Sequence, residues 1–148
     1  MADPSRSGVN YGDKQLTDLP IHCILLTSFD AEFKFLANIF GLIGIRVHHA
    51  ETLEQADFLL TVTGSTVLLS DVVFQEGSWQ DALGVLTSFH PFVTMLVIAD
   101  PVDTPFLQEL FVRGACGVLW KPVEVSEARR LIHAVHEASR ERRFLNHL

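Results

Sequence analysis

From Ile21 onward, short apolar runs alternate with longer amphipathic ones. Ile21–Leu26 has the length and continuity of a buried strand. Asp30 is placed to cap the helix that follows, its carboxylate accepting an orphan amide. Phe33, Leu36, Ala37, Phe40 and Leu42 or Ile43 then recur at helical spacing, and Gly44 ends the helix. Ile45–His49 reads as a second strand. Thr52 and Gln55 form a capping-box pair ahead of Ala56, Phe58, Leu59 and Leu60. After the Gly64-Ser65 turn, Thr66–Ser70 is a third strand, and residues 72–78 form a loop. Trp79, Leu83, Leu86 and Phe89 mark a third helix, which stops before His90-Pro91. Val93–Ile98 contains no charge, which suits a central strand. Thr104 and Pro105 open a helix to Val112. Gly114 caps its end, and Ala115–Trp120 is the fifth strand. The last helix starts at Glu124 or Ser126 and turns Ala128, Leu131, Ile132, Val135 and Ala138 inward.

The text therefore predicts five strands alternating with five helices. Each crossover is long enough for a right-handed strand–helix–strand unit. Strands with so little polarity imply a parallel sheet covered on both faces, an α/β three-layer sandwich. Residues 1–19 lack periodicity and are rich in turn formers, so they read as a flexible leader. The domain is expected over residues 20–140, with residues 141–148 as a helix extension or tail. With no linker or second domain after the last helix in this sequence, it is not expected to regulate transcription by itself.

Charge narrows the function. Eighteen acids against eleven Lys+Arg give the 148-residue chain a formal charge of −7. General nucleic-acid binding needs a cationic face, and this composition argues against one. No apolar run has the length of a membrane span, and the amino end lacks the order of a signal peptide. A cytoplasmic home is expected. Cys23 and Cys116 sit in apolar strand contexts and read as buried thiols. His48 and His49 should face opposite sides of a strand. His133 and His136 read as solvated helix residues. Thr27-Ser28-Phe29-Asp30 offers no glycine-rich phosphate fingerprint, which disfavours a flavin or dinucleotide binder. Phe74 and Trp79 flank the loop after strand three, either as exposed anchors for a contact or as cover for the sheet.

Two residues carry the candidate chemistry. Asp71 ends the third strand and Lys121 ends the fifth, with Pro122 after it. A carboxylate and an ammonium at the carboxyl ends of parallel strands can meet where open α/β sheets place their sites. The two can pair without a metal.

The order of elements, Asp71, and Gly114-Ala115-Cys116-Gly117-Val118-Leu119-Trp120-Lys121-Pro122 together resemble the receiver domain of bacterial response regulators. Gly44-Ile45-Arg46-Val47-His48-His49-Ala50 fits the same pattern. The likeness runs from Ile21 to Arg140. It implies a flavodoxin-like (βα)5 fold, with a five-stranded parallel sheet in the order 2-1-3-4-5. It also implies that Asp71 is the phosphoacceptor for a histidine kinase, and that Lys121 contacts the phosphoryl oxygens. The Lys121-Pro122 bond is expected to be cis, as in that family.

The same resemblance exposes departures. Thr27 and Ser28 stand where two metal-binding acids belong. Ala99 replaces the Thr or Ser of the phosphoryl pocket, Val118 the switch aromatic, and Gln75 the proline four residues past the acceptor. Neutral hydroxyls are weak substitutes for carboxylates at Mg²⁺. No constitutive cofactor is expected, and any Mg²⁺ binding should be weak. Asp30 and Asp100 are the acids that could join Asp71 at a metal. The expected function is signal transduction through protein contacts, by an atypical receiver with impaired or absent Mg²⁺-dependent phosphoacceptance at Asp71. It is not expected to be a metabolic enzyme. The alternative is a working phosphoreceiver that uses Asp30 or Asp100 in an unusual metal site. Partners implied are a histidine kinase or a downstream regulator, with homodimerisation through the last helices as a further mode.

Overall fold

In the computed structural model, residues 19–102, 109 and 117–146 are described. Five strands form one parallel sheet: β1 (Ile21–Leu26), β2 (Ile45–Ala50), β3 (Val67–Asp71), β4 (Thr94–Ala99) and β5 (Gly117–Trp120). Their order is β2-β1-β3-β4-β5, the flavodoxin-like 2-1-3-4-5 arrangement that the sequence predicts. Four helices are described: α1 (Asp30–Gly41), α2 (Leu53–Thr63), α3 (Trp79–Phe89) and α4 (Val125–Asn146). The leader up to residue 18, the helix expected over 105–112, Gly114, Cys116 and the last two residues lie outside the described residues.

Alternation along the strands sorts the core into two layers. Cys23, Leu25, Leu69, Leu96, Ile98 and Leu119 face one way, onto Leu36 and Phe40 of α1 and Ala128 and Ile132 of α4. Ile24, Leu26, Leu68, Met95 and Val97 face the other way, onto Ala56 and Leu60 of α2 and Trp79, Ala82 and Leu86 of α3. The sheet is thus covered on both sides, which is why its inner strands read as unbroken apolar runs. Burial raises the Cys23 thiol to about 12, so it is an inert core residue.

Several local expectations are corrected. Asp30 does not cap α1. Phe29 occupies the cap position without a side-chain bond, and Asp30 is the first helical residue. There its charge still favours the positive end of the helix. Thr52 caps α2 by accepting from the Gln55 amide at 3.2 Å, but Gln55 reaches back to the Glu51 amide at 2.8 Å, one residue beyond the expected partner. Residues 72–78 are not a plain loop. Val73–Phe74 pairs antiparallel with Gly77–Ser78. This hairpin folds Phe74 and Trp79 into the core, so the exposed-anchor reading of both fails. On α4, Ala138 is exposed. Ser139 is the buried residue there, and it donates to the Phe92 carbonyl. His136 is not fully solvated: its Nδ1 lies 2.6 Å from Thr66 Oγ1, and burial lowers its pKa.

The hairpin also caps α3. Ser78 accepts from the Gln80 amide at 3.3 Å, and Asp81 accepts from the Ser78 amide at 2.9 Å. A side chain at position 77 would displace the cap, because a Cβ on Gly77 would lie 2.7 Å from Asp81 Oδ2. Ser78→Ala is expected to lower stability by about 1 kcal/mol. Urea titration checks this, and an unchanged midpoint would refute the role of the cap.

Candidate functional site

Strand register places the site. Leu26 pairs with Ser70, Asp71 with Ile98, and Ala99 with Trp120. The next residues outward therefore line one carboxyl edge: Thr27, Asp71, Ala99 and Lys121. Alternation then decides which face each occupies. Thr27 follows Leu25, Asp71 follows Leu69, and Lys121 follows Leu119, each by two residues, so all three belong to the α1 side. Ala99 and Val118 belong to the layer on the other side.

Asp71 and Lys121 are indeed brought to the same edge, but their bonds differ from the expected direct pair. Asp71 is only 4% exposed. Its Oδ2 accepts a 2.6 Å hydrogen bond from Thr27 Oγ1. Lys121 Nζ bonds instead to Glu32 Oε1 at 3.3 Å. The Lys121-Pro122 peptide is cis, as expected.

Glu32 is the residue that sequence reasoning missed. It lies in the first turn of α1, and its carboxyl acts on that of Asp71. Glu32, Leu36 and Phe40 are four residues apart and share the inward face of α1. A glutamate at the head of that apolar stripe was the available signal.

The electrostatics follow from this crowding. Burial raises the Asp71 carboxyl most, and contact with Glu32 raises it further. The Thr27 hydroxyl and the Lys121 ammonium pull it down, and the balance stands at about 7. Two carboxyls in contact need one proton between them. Among the described residues, Asp71 Oδ1 and Glu32 Oε2 are both buried without a hydrogen-bond partner. Burial works to lower Lys121, but Glu32 and then Asp71 outweigh it, with Asp100 adding, so the ammonium is held above its ordinary value. Near neutral pH, Asp71 is partly a neutral acid, and a protonated carboxyl is a poor nucleophile.

The other candidates are dispersed. The Asp30 side chain is 61% exposed and pairs with Lys34 at 3.1 Å, with His49 at 3.9 Å. Ser28 Oγ is buried without a hydrogen-bond partner. Ala99 is buried, and its carbonyl accepts from the Lys121 amide at 2.9 Å. Val118 is half-buried against the core, while Trp120, two residues on and on the same face, is partly exposed. The Thr27 carbonyl is taken by His49 Nε2 at 3.0 Å.

A divalent cation needs several hard oxygens. Among the described residues, Asp71 has beside it the Thr27 hydroxyl and a glutamate already paired with an ammonium. That donor set does not match the cation. Among the described residues, no group of three or more His, Cys, Asp or Glu is placed to hold a metal ion.

Comparison with known proteins bears on this geometry. No protein-family model and no curated protein matches the chain in sequence. Solved structures do match in shape. The signal receiver domain of an HD domain-containing protein from Pseudomonas fluorescens superposes with a TM-score of 0.74 at 17% identity, covering 84% of this chain and 92% of that one. The signal receiver domain of a Luxo repressor protein from Vibrio parahaemolyticus gives 0.75 at 12% identity, covering 86% and 98%. NtrX from Brucella abortus, in complex with ATP, gives 0.77 at 15% identity, where 86% of this chain matches 29% of that longer one. This chain has the receiver-domain fold of response regulators, in a divergent form.

Proposed function

We propose that this chain is a receiver-like signalling module that acts through protein contacts, with phosphoacceptance at Asp71 impaired. It is not a metabolic enzyme on this reading. The observation that carries the proposal is the Thr27–Asp71 hydrogen bond of 2.6 Å. It places a neutral hydroxyl against the acceptor carboxylate, on the side where the receiver family places metal-binding acids. The raised Asp71 carboxyl supports the same reading, since part of it is protonated near neutral pH. Without a divalent cation, the cation that acts on Asp71 among the described residues is Lys121, and Lys121 is already engaged by Glu32.

A histidine kinase or a downstream regulator is the class of partner that the fold suggests, and homodimerisation through the last helices fits it too. Among the described residues, no helix is long and apolar enough to cross a membrane.

The test mixes the protein with Mg²⁺ and a small phosphodonor and follows the mass of the intact chain. The expected result is little or no phosphorylated species. Rapid stoichiometric labelling of Asp71 would overturn the impaired reading and favour a working phosphoreceiver with Asp30 or Asp100 at the metal.

A further inference from the structure

The carboxyl edge brings together two carboxyls and one ammonium, with Lys121 bonded to Glu32 and acting on Asp71 through its charge. Asp71 is nearly fully buried, and its Oδ1 has no donor. Lys121 is the cation that acts on it. Any oxyanion entering beside Asp71 would need that ammonium, because two like charges at contact distance repel strongly in a partly buried site. Glu32 already has it. Its Oε1 lies 3.3 Å from Lys121 Nζ, and its side chain is only 18% exposed. Leu36 and Phe40, one and two turns further along α1, are buried in the core and fix the helix that carries it.

We propose that Glu32 is an internal anion that fills the Lys121 side of the Asp71 site and excludes external oxyanions. This rests on the receiver-like reading above and deepens it. The charges support it. With the shared proton on Asp71, the cluster holds one carboxylate and one ammonium and is neutral. Asp100, past the end of β4, adds negative field at Lys121, and Thr27 from the β1 end contributes only a hydroxyl. Among the described residues of this cluster, an arriving phosphate therefore meets no free positive charge. Removing the Glu32 charge frees Lys121 from its carboxylate partner and leaves an unengaged ammonium of the kind that binds oxyanions.

Inorganic phosphate is the probe, titrated at about pH 5, well below the value of about 7 to which burial first, and Glu32 after it, raise the Asp71 carboxyl of the parent. Amide chemical shifts of Asp71 and Lys121 report binding. Glu32→Gln is expected to bind phosphate at least about tenfold more tightly than the parent. The double variant Glu32→Gln/Lys121→Ala is expected to lose that gain. Glu32→Ala repeats the test should the glutamine variant fold poorly. Equal affinity in the parent and Glu32→Gln would overturn the proposal, and so would a double variant that binds as well as Glu32→Gln. These results are separable from the phosphodonor assay. Labelling of the parent at Asp71 refutes the impaired function, whereas equal phosphate binding refutes only the role of Glu32.

Discussion

Asp71→Asn should make the protein more stable than the parent at pH 8, and the advantage should shrink on acidification to pH 5. The reasoning starts from a carboxyl at 3.8 in its ordinary state and about 7 in the fold. The folded protein holds this proton more tightly than the unfolded chain does. Its stabilisation is complete below the unfolded value and is lost as pH rises through the folded one. Above that, a buried carboxylate sits against Glu32 at a cost on the order of a few kcal/mol. Asparagine keeps an oxygen for the Thr27 hydroxyl and removes the charge. Glu32 retains Lys121, so no ammonium is stranded. Urea titrations of both proteins at the two pH values measure the difference, and contributions from carboxyls away from this site cancel in the comparison. A gap that does not change with pH would show that Asp71 is ionised throughout.

Phe40→Ala should have the largest effect on folding, a loss of about 3–5 kcal/mol. Phe40 is fully buried between α1 and the sheet. Its removal leaves a cavity that the surrounding strands can only partly close. A domain of this size has a stability of roughly 5–15 kcal/mol, so a large part of it is at stake. The consequence reaches the site, because the same face of α1 carries Glu32 toward Lys121. Chemical denaturation gives the stability, and the Lys121 amide shift gives the state of the pair. A loss below about 1 kcal/mol would mean that α1 is held by something other than this ring.

Much of the scaffold follows from the order of residues alone. Apolar runs separated by helical stripes are enough to give the strands, because a strand covered on both faces admits few polar groups. The carboxyl-edge positions of Asp71 and Lys121 follow from the strand ends. The faces of Thr27, Asp71 and Lys121 follow from alternation once those ends are known. Elements whose order depends on side chains reaching across a turn were less legible. The hairpin of Val73–Phe74 with Gly77–Ser78 turns on Asp81 bonding back to the Ser78 amide, and it is this that buries Phe74 and Trp79.

The site divides the same way. The sequence by itself determined that a hydroxyl stands beside Asp71, since Thr27 follows β1 directly. Only the tertiary structure decided the partner of Lys121. Glu32 and Lys121 are 89 residues apart. They meet because α1 packs its Leu36 and Phe40 face on the same side of the sheet to which Lys121 points. Helical spacing fixes the direction of Glu32 relative to Leu36 and Phe40, but which acid reaches the ammonium depends on where the packed helix comes to rest. That is a property of the assembled core, and it turns a glutamate in an amphipathic stripe into the neighbour of Asp71.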